Sequence, residues 1–196
     1  MVDPSMIVGA AEYTIRPARP EDADPIAQIH VATWKQTYRD LIPPQAMVAA
    51  NLAHRLEMWR GLLTIESLDK GYCAFVAESH AHALSGFVLV GPQRSERAAF
   101  ADYPGEIMAL YVMKDAQGRG LGRRLLSAGA NELLAMGLDR ASAWVLSANA
   151  NARGFYERMG GREIATQTET RHGGVPLEEV AYGIDDLGAI VASTRG

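Results

Sequence analysis

The chain has 196 residues, 48% of them hydrophobic and 21% charged, which suits one globular domain with its own core. A formal net charge of −4 argues against a general nucleic-acid binder, which needs a broadly basic face, and no segment approaches the roughly eighteen consecutive apolar residues of a membrane span. Cys73 is the only cysteine, so an intramolecular disulfide framework and a paired-cysteine metal site are both excluded.

The opening residues, MVDPSMIVGAAEY, carry neither the basic leader nor the apolar stretch of a signal peptide, and a cytoplasmic protein is expected. Residues 1–10 read as a loose extension, 11–186 as a single domain and 187–196 as a tail. Tyr13 to Pro17 alternates briefly, as a short strand does. Acidic residues then cap a helix in which Ile26, Ile29, His30 and Thr33 fall near helical spacing, running to about Tyr38. Pro43-Pro44 breaks the chain. A second helical region, Met47 to Leu63, places Leu52, Leu56, Trp59 and Leu63 on one face.

Tyr72 to Ala77 and Gly86 to Val90 are aromatic and β-branched runs that predict an antiparallel hairpin, with His80 and His82 as a surface pair in its turn. A long strand follows from Glu106 to Met113, then a helix from about Arg119 to Met136, a strand from Ala143 to Leu146 and a short helix from Asn149 to Met159. Glu163 to Thr170 and Val175 to Ile184 form a closing hairpin around His172-Gly173-Gly174. This order predicts an α/β (α+β) mixed sheet with helices on both faces.

The most informative junction is Lys114 to Leu126, where a strand becomes a glycine-rich turn and then a basic amphipathic helix. The first amides of a helix have no carbonyl partner and carry about half a positive charge between them, so the turn is an anion site. Gly118, Gly120 and Gly122 allow the backbone to approach a phosphate closely, and Arg119, Arg123 and Arg124 add full charges. A dinucleotide fingerprint would need glycine where Arg123 stands, and a P-loop would need Gly-Lys-Ser/Thr where Leu121-Gly122-Arg123 stands.

What remains is Gln117-Gly118-Arg119-Gly120-Leu121-Gly122, which resembles the acyl-CoA signature of the GCN5-related N-acetyltransferases, the GNAT superfamily. A second stretch, Asn149-Ala150-Asn151-Ala152-Arg153-Gly154-Phe155-Tyr156-Glu157-Arg158-Met159-Gly160, is similar to that family's Asn-x-x-Ala-x-x-Phe-Tyr-x-x-x-Gly segment. The resemblance spans roughly residues 12–184 and implies the GNAT fold, a mostly antiparallel central sheet splayed between its fourth and fifth strands. It implies acetyl-CoA as cosubstrate and no metal. The cofactor contacts it implies are backbone bonds from Leu110, Tyr111 and Val112, a diphosphate cradle from Gln117, Gly118, Arg119, Gly120, Leu121, Gly122 and Arg123, and contacts from Asn149, Arg153 and Tyr156.

The reaction implied is direct transfer of an acetyl group from a thioester to an amine. An amine is mostly protonated at neutral pH and must lose a proton before or during attack. Glu106 is the candidate base by resemblance, directly or through water, with a solvated strand-end charge as the competing reading. Tyr156 is the candidate acid for the departing thiolate, while Phe155 reads as core. Trp34-Lys35-Gln36-Thr37-Tyr38-Arg39-Asp40-Leu41-Ile42-Pro43 resembles a segment that walls the acceptor side in some bacterial members. Trp34 and Tyr38 share a helix face and Tyr103 is a third wall, with core packing equally compatible. Cys73 reads as a small core residue.

The partner expected is an amine-bearing small molecule or a protein N-terminus or lysine, not nucleic acid or membrane. Exposed strands near the C-terminus leave a homodimer open. Two rival functions also stay open, a CoA-binding regulatory module without catalysis and an ATP- or NAD-dependent enzyme.

Overall fold

The computed structural model describes residues 13–44, 51–170 and 174–194. Its elements are β1 (Tyr13–Pro17), α1 (Ala23–Tyr38), α2 (Leu52–Leu62), α3 (Ile65–Asp69), β2 (Cys73–Ser79), β3 (Leu84–Pro92), β4 (Gly105–Val112), α4 (Leu121–Ala135), β5 (Ala141–Leu146), α5 (Ala150–Arg158), β6 (Gly161–Glu169), β7 (Leu177–Ile184) and α6 (Leu187–Ala192). Side chains set several of the helix starts. The Asn51 and Asn149 side-chain oxygens accept from the amides of His54 and Ala152, and Asp186 accepts from Ala189. At the far end of α4, Gly137 takes φ +81°, and Leu138 donates to the Leu133 carbonyl while Gly137 donates to Leu134, a Schellman-type stop.

The seven strands form one sheet in the order β1-β2-β3-β4-β5-β7-β6, antiparallel throughout except for β4 with β5. That parallel pairing has only two rungs, Gly105 with Ala141 and Glu106 with Ser142. Beyond them β4 stays paired to β3 as far as Val112, and β5 stays paired to β7 as far as Leu146. The two strands therefore separate into a wedge that opens toward their C-terminal ends. The β3–β4 register shifts between Leu89, opposite Ala109, and Val90, opposite Ile107, so Met108 is an extra, bulged residue. A bulge bends its strand and increases local twist, which accounts for β4 turning away from β5 at this point.

Helices cover both faces. On one, Ile26, Ala27 and Ile29 of α1 and Trp59 of α2 pack with Val76, Phe87 and Leu89. On the other, Leu121, Leu125, Leu126, Ala130 and Leu133 of α4 pack with Val88, Val90 and Ile107, joined by Leu187 and Ile190 of α6. Gly129 brings α4 close to the sheet, since a Cβ there would lie 2.7 Å from a Val90 methyl.

Two parts of the sequence reading change. Residues 187–192, expected within a tail, form α6, whose Leu187 and Ile190 are buried in the α4-side core. Six residues are too few for helical periodicity to stand out, and the helix is held by tertiary packing. The second helical region is not one continuous helix: Asn51, with ψ 116°, is the N-cap of α2, Leu52 is exposed rather than on the packed face, and α3 follows. The expected extension over residues 1–10, the 45–50 part of the second helix and the 171–173 part of the closing turn lie outside the described residues.

Candidate active site

The turn between β4 and α4 has the conformation its glycines foretold. Gly118 and Gly120 take φ +74° and +75°, in the left-handed region that L side chains rarely adopt, and a Cβ at either would meet open space. Gln117 donates from its side chain to the Val112 carbonyl at 3.0 Å, tying the turn to the end of β4. Gly120 is the N-cap of α4, and Arg124 is the first residue whose amide reaches back to it. The amides of Leu121, Gly122 and Arg123 precede that first bond and are the orphan donors of the helix. A Cβ on Gly122 would stand 3.4 Å from the Phe155 ring, so the turn and the second motif touch.

The arginines expected near this anion site divide. Arg119, beside the orphan amides, is exposed. One Arg123 nitrogen donates to the Ser193 carbonyl after α6, and Arg124 donates to the Tyr13 carbonyl at 2.9 Å. Arg153 is engaged elsewhere: it pairs with Glu163 at 2.8 Å and donates to the Tyr182 hydroxyl at 3.2 Å. Arg162 pairs with Asp185 at 3.0 Å.

Inside the wedge is a cluster of tyrosines. Leu110, Tyr111 and Val112 end β4. The Tyr38 phenol has Tyr111 and the Asn149 side chain as its polar neighbours. Tyr38 of α1 thus packs between the ends of the two strands where they diverge, and Asn149 caps α5. Tyr156 lies close to Tyr38 and stacks on Tyr182 with centroids 6.0 Å apart. Burial first, and then the neighbouring Tyr38, pushes the Tyr156 phenol well above its usual pKa, so it keeps its proton at neutral pH. Burial likewise raises Tyr38 and, most strongly, Tyr111. Trp34 packs edge-on against Tyr38 at 4.9 Å, and both are buried with Ile42, Leu146 and Leu177. They line the wedge while also packing as core.

Glu106 lies at the closed end of the wedge and is 4% exposed. The sequence reading missed its partner. Arg94, in the loop after β3, donates to both carboxylate oxygens at 2.6 and 2.8 Å and adds its backbone amide at 3.2 Å. A carboxylate has about four lone-pair directions, so Glu106 keeps capacity for one more donor, such as a water. On β4 it shares a face with Ala109 and Tyr111, after the bulge, toward α1 and α2.

Tyr103 is placed away from this cluster. It is 3% exposed, donates to Asp185 at 2.8 Å and lies flat on Gly183, whose missing Cβ would be 2.4 Å from its ring. Its neighbours are on β7 and the residue after it, at the end of the sheet where β4 begins, so it braces the sheet rather than walling the acceptor side. Gly183→Ala is expected to lower stability by about 1–3 kcal/mol by overpacking this ring; a urea or thermal melt against the parent checks it.

His30 was read from sequence only as a helix-face residue, yet it joins the wall. Its Nδ1 accepts from the Trp59 indole at 3.1 Å, and its ring centroid is 5.0 Å from that of Tyr111. Burial, with Arg55 adding to it, pulls its pKa down to about 3, so the ring is neutral.

The matching family model is the acetyltransferase (GNAT) family, over residues 34–161. The chain belongs to the GNAT family of acetyltransferases. Among relatives of this GNAT protein, the "uncharacterized N-acetyltransferase YuaI" of Bacillus subtilis (strain 168) is 34% identical over 177 residues, covering 90% of this chain and 95% of YuaI. The "probable N-acetyltransferase Rv2775" of Mycobacterium tuberculosis is 27% identical, covering 74% and 76% of the two chains. Among solved structures, yncA from Salmonella typhimurium, determined with acetyl-CoA, superposes with a TM-score of 0.64 at 22% identity, covering 89% of this chain and 94% of that one. PaiA from Thermoplasma acidophilum, determined with coenzyme A, gives 0.64 at 17% identity, covering 85% and 97%. These two likenesses establish the fold: a seven-stranded, mostly antiparallel sheet with a parallel β4–β5 pair.

Proposed function

We propose that this GNAT protein is an acetyl-CoA-dependent N-acetyltransferase acting on a primary amine. The observation that carries the reading is the wedge: β4 and β5 pair for two rungs and then part, directly below a turn whose glycines hold left-handed backbone and whose first helical amides are unpaired by the helix. An extended, amide-bearing arm can add itself to a sheet edge as a strand does, and a diphosphate suits the helix start above it. The residues fit such a group, since Gly118 and Gly120 leave open space beside the unpaired amides of the turn. In this reading Leu110, Tyr111 and Val112 take the arm, and residues 117–123 with Arg119 take the diphosphate. The names of YuaI and Rv2775 as N-acetyltransferases and the acetyl-CoA bound by yncA support the same cosubstrate.

The thioester supplies an activated acetyl group, and the chain supplies proton handling. Glu106, clamped by Arg94 but with a lone pair to spare, receives the amine proton through a water. An amide of β4 freed from β5, that of Val112 foremost, stabilises the charge growing on the carbonyl oxygen. Tyr156, held protonated by burial, is the donor to the leaving thiolate.

An amine panel followed by CoA release tests the assignment. Tyr156→Phe is expected to lower kcat at least about tenfold with little change in acetyl-CoA affinity, and Glu106→Gln to do the same. Full rate in both variants would refute these roles. Tight CoA binding with no thiol release for any amine would instead favour the regulatory-module reading.

A further inference from the structure

Most buried or half-buried arginines whose contacts are set out above meet a carboxylate or a backbone carbonyl. Arg55 differs. Its side chain is half-buried and donates to the uncharged Met58 sulfur at 3.4 Å; no carboxylate among the described residues forms an ion pair with it. Residues 45–50, just before its helix, contain no acid. Burial accordingly lowers its pKa. Such a cation is costly in a folded protein unless something supplies the counter-charge.

Its position in the fold says what that could be. Arg60 near the end of α2 pairs with Asp24 near the start of α1 at 2.8 Å, and Trp59 meets His30 in the middle of α1, so the two helices run antiparallel. Arg55 is one turn before Trp59 on the same face of α2. It therefore comes level with the Trp34 turn of α1, beyond His30. There it interacts electrostatically with both His30 and the Tyr111 phenol. Tyr111 belongs to the wedge itself and packs with Tyr38. Arg55 is thus a fixed positive charge on the acceptor side, one residue away from the proposed reaction centre.

Resting on the acetyltransferase reading above, we propose that Arg55 anchors a carboxylate on the acceptor, so that the amine acetylated belongs to a molecule of amino-acid type. A guanidinium presents a planar fork that matches a carboxylate with two parallel hydrogen bonds. A single guanidinium matches the one negative charge of a carboxylate better than the two of a phosphate. The carboxylate and the amine are then held at two separate points, the first by Arg55 and the second within reach of the Glu106 water, which orients the nucleophile.

The test compares α-amino acids with their own carboxamides, pair by pair, by CoA release with acetyl-CoA at saturation. In the parent, kcat/KM for the preferred acid is expected to exceed that for its amide by roughly 10- to 100-fold, the effect of one charge-assisted pair. Arg55→Met should bring that ratio close to one, and Arg55→Lys should keep part of it, since the charge remains while the fork is lost. The melting temperature of Arg55→Met should equal or exceed that of the parent, because no ion pair is removed. Amides turned over as well as acids, or an acid-to-amide ratio untouched by Arg55→Met, overturns the proposal while leaving the acetyltransferase reading standing. A melting temperature several degrees lower with that ratio unchanged marks Arg55 as structural and overturns it too. No CoA release with any acid or amide, while another amine of the panel is turned over, overturns the anchor alone; no release with any amine at all overturns the acetyltransferase reading and the anchor together.

Discussion

Gly120→Val is expected to weaken acetyl-CoA binding about a thousandfold while the fold survives. Gly120 holds φ +75° as the N-cap of α4, with open space where a Cβ would stand. Valine in the left-handed region costs roughly 1–2 kcal/mol, too little to unfold an ordinary domain. Its branched side chain would stand over the turn and force the backbone toward negative φ, turning the first amides of the helix away from the diphosphate. Losing two charge-assisted hydrogen bonds at about 2 kcal/mol each gives about 4 kcal/mol, or a factor near 10³. Gly137→Val is the control, because Gly137 has φ +81° and equally open surroundings at the opposite end of α4. It should share the loss of stability and leave the titration unchanged. Calorimetric titration of both variants separates the two effects, and equal affinity in Gly120→Val and the parent would remove the turn from the binding site.

The second large effect concerns pH. His30 is neutral in the fold, with its pKa pulled from the usual value near 6.5 down to about 3 by burial and by Arg55. The unfolded chain binds a proton at this residue below about pH 6.5 and the native protein does not, so stability falls as pH falls. The contribution is fully present above pH 6.5, is lost progressively from there to about pH 3, and amounts in all to the order of 5 kcal/mol. Between pH 6 and 4.5, before most carboxylates protonate, the loss should be roughly 2 kcal/mol. Chemical denaturation across that interval measures it. His30→Gln should flatten the slope, although the Trp59 indole then needs the glutamine oxygen as its acceptor. An equally steep slope in that variant would mean that another group titrates.

Much of the fold was legible because its elements announce themselves locally. Ile26, Ile29, His30 and Thr33 marked α1, whose end at Tyr38 was read correctly. The glycines at 118 and 120 marked backbone that only glycine adopts readily, and Asn149 marked a helix start. The spacing of Trp34 and Tyr38 correctly placed them on one helix face. What could not be read were contacts that depend on where distant segments return. Arg94 clamps Glu106 only because the loop after β3 folds back on the start of β4. Tyr103 sits beside that start in sequence, but its ring faces Gly183 across the sheet. The grouping of Tyr111, Tyr38 and Asn149 requires three elements far apart along the chain. Arg55 was silent because a charge on a helix is usually a solvated one. It stands out only once α1, α2 and β4 are assembled and no acid is found opposite.

The central claim is that the β4–β5 wedge and the glycine turn together hold acetyl-CoA, and amide-resolved hydrogen exchange with and without the saturating ligand tests it most directly. The account predicts slowed exchange at Leu110 to Val112 and at Gly118 to Arg123, with no change at Gly137. Binding without protection in either stretch, or protection confined to other parts of the sheet, would contradict it.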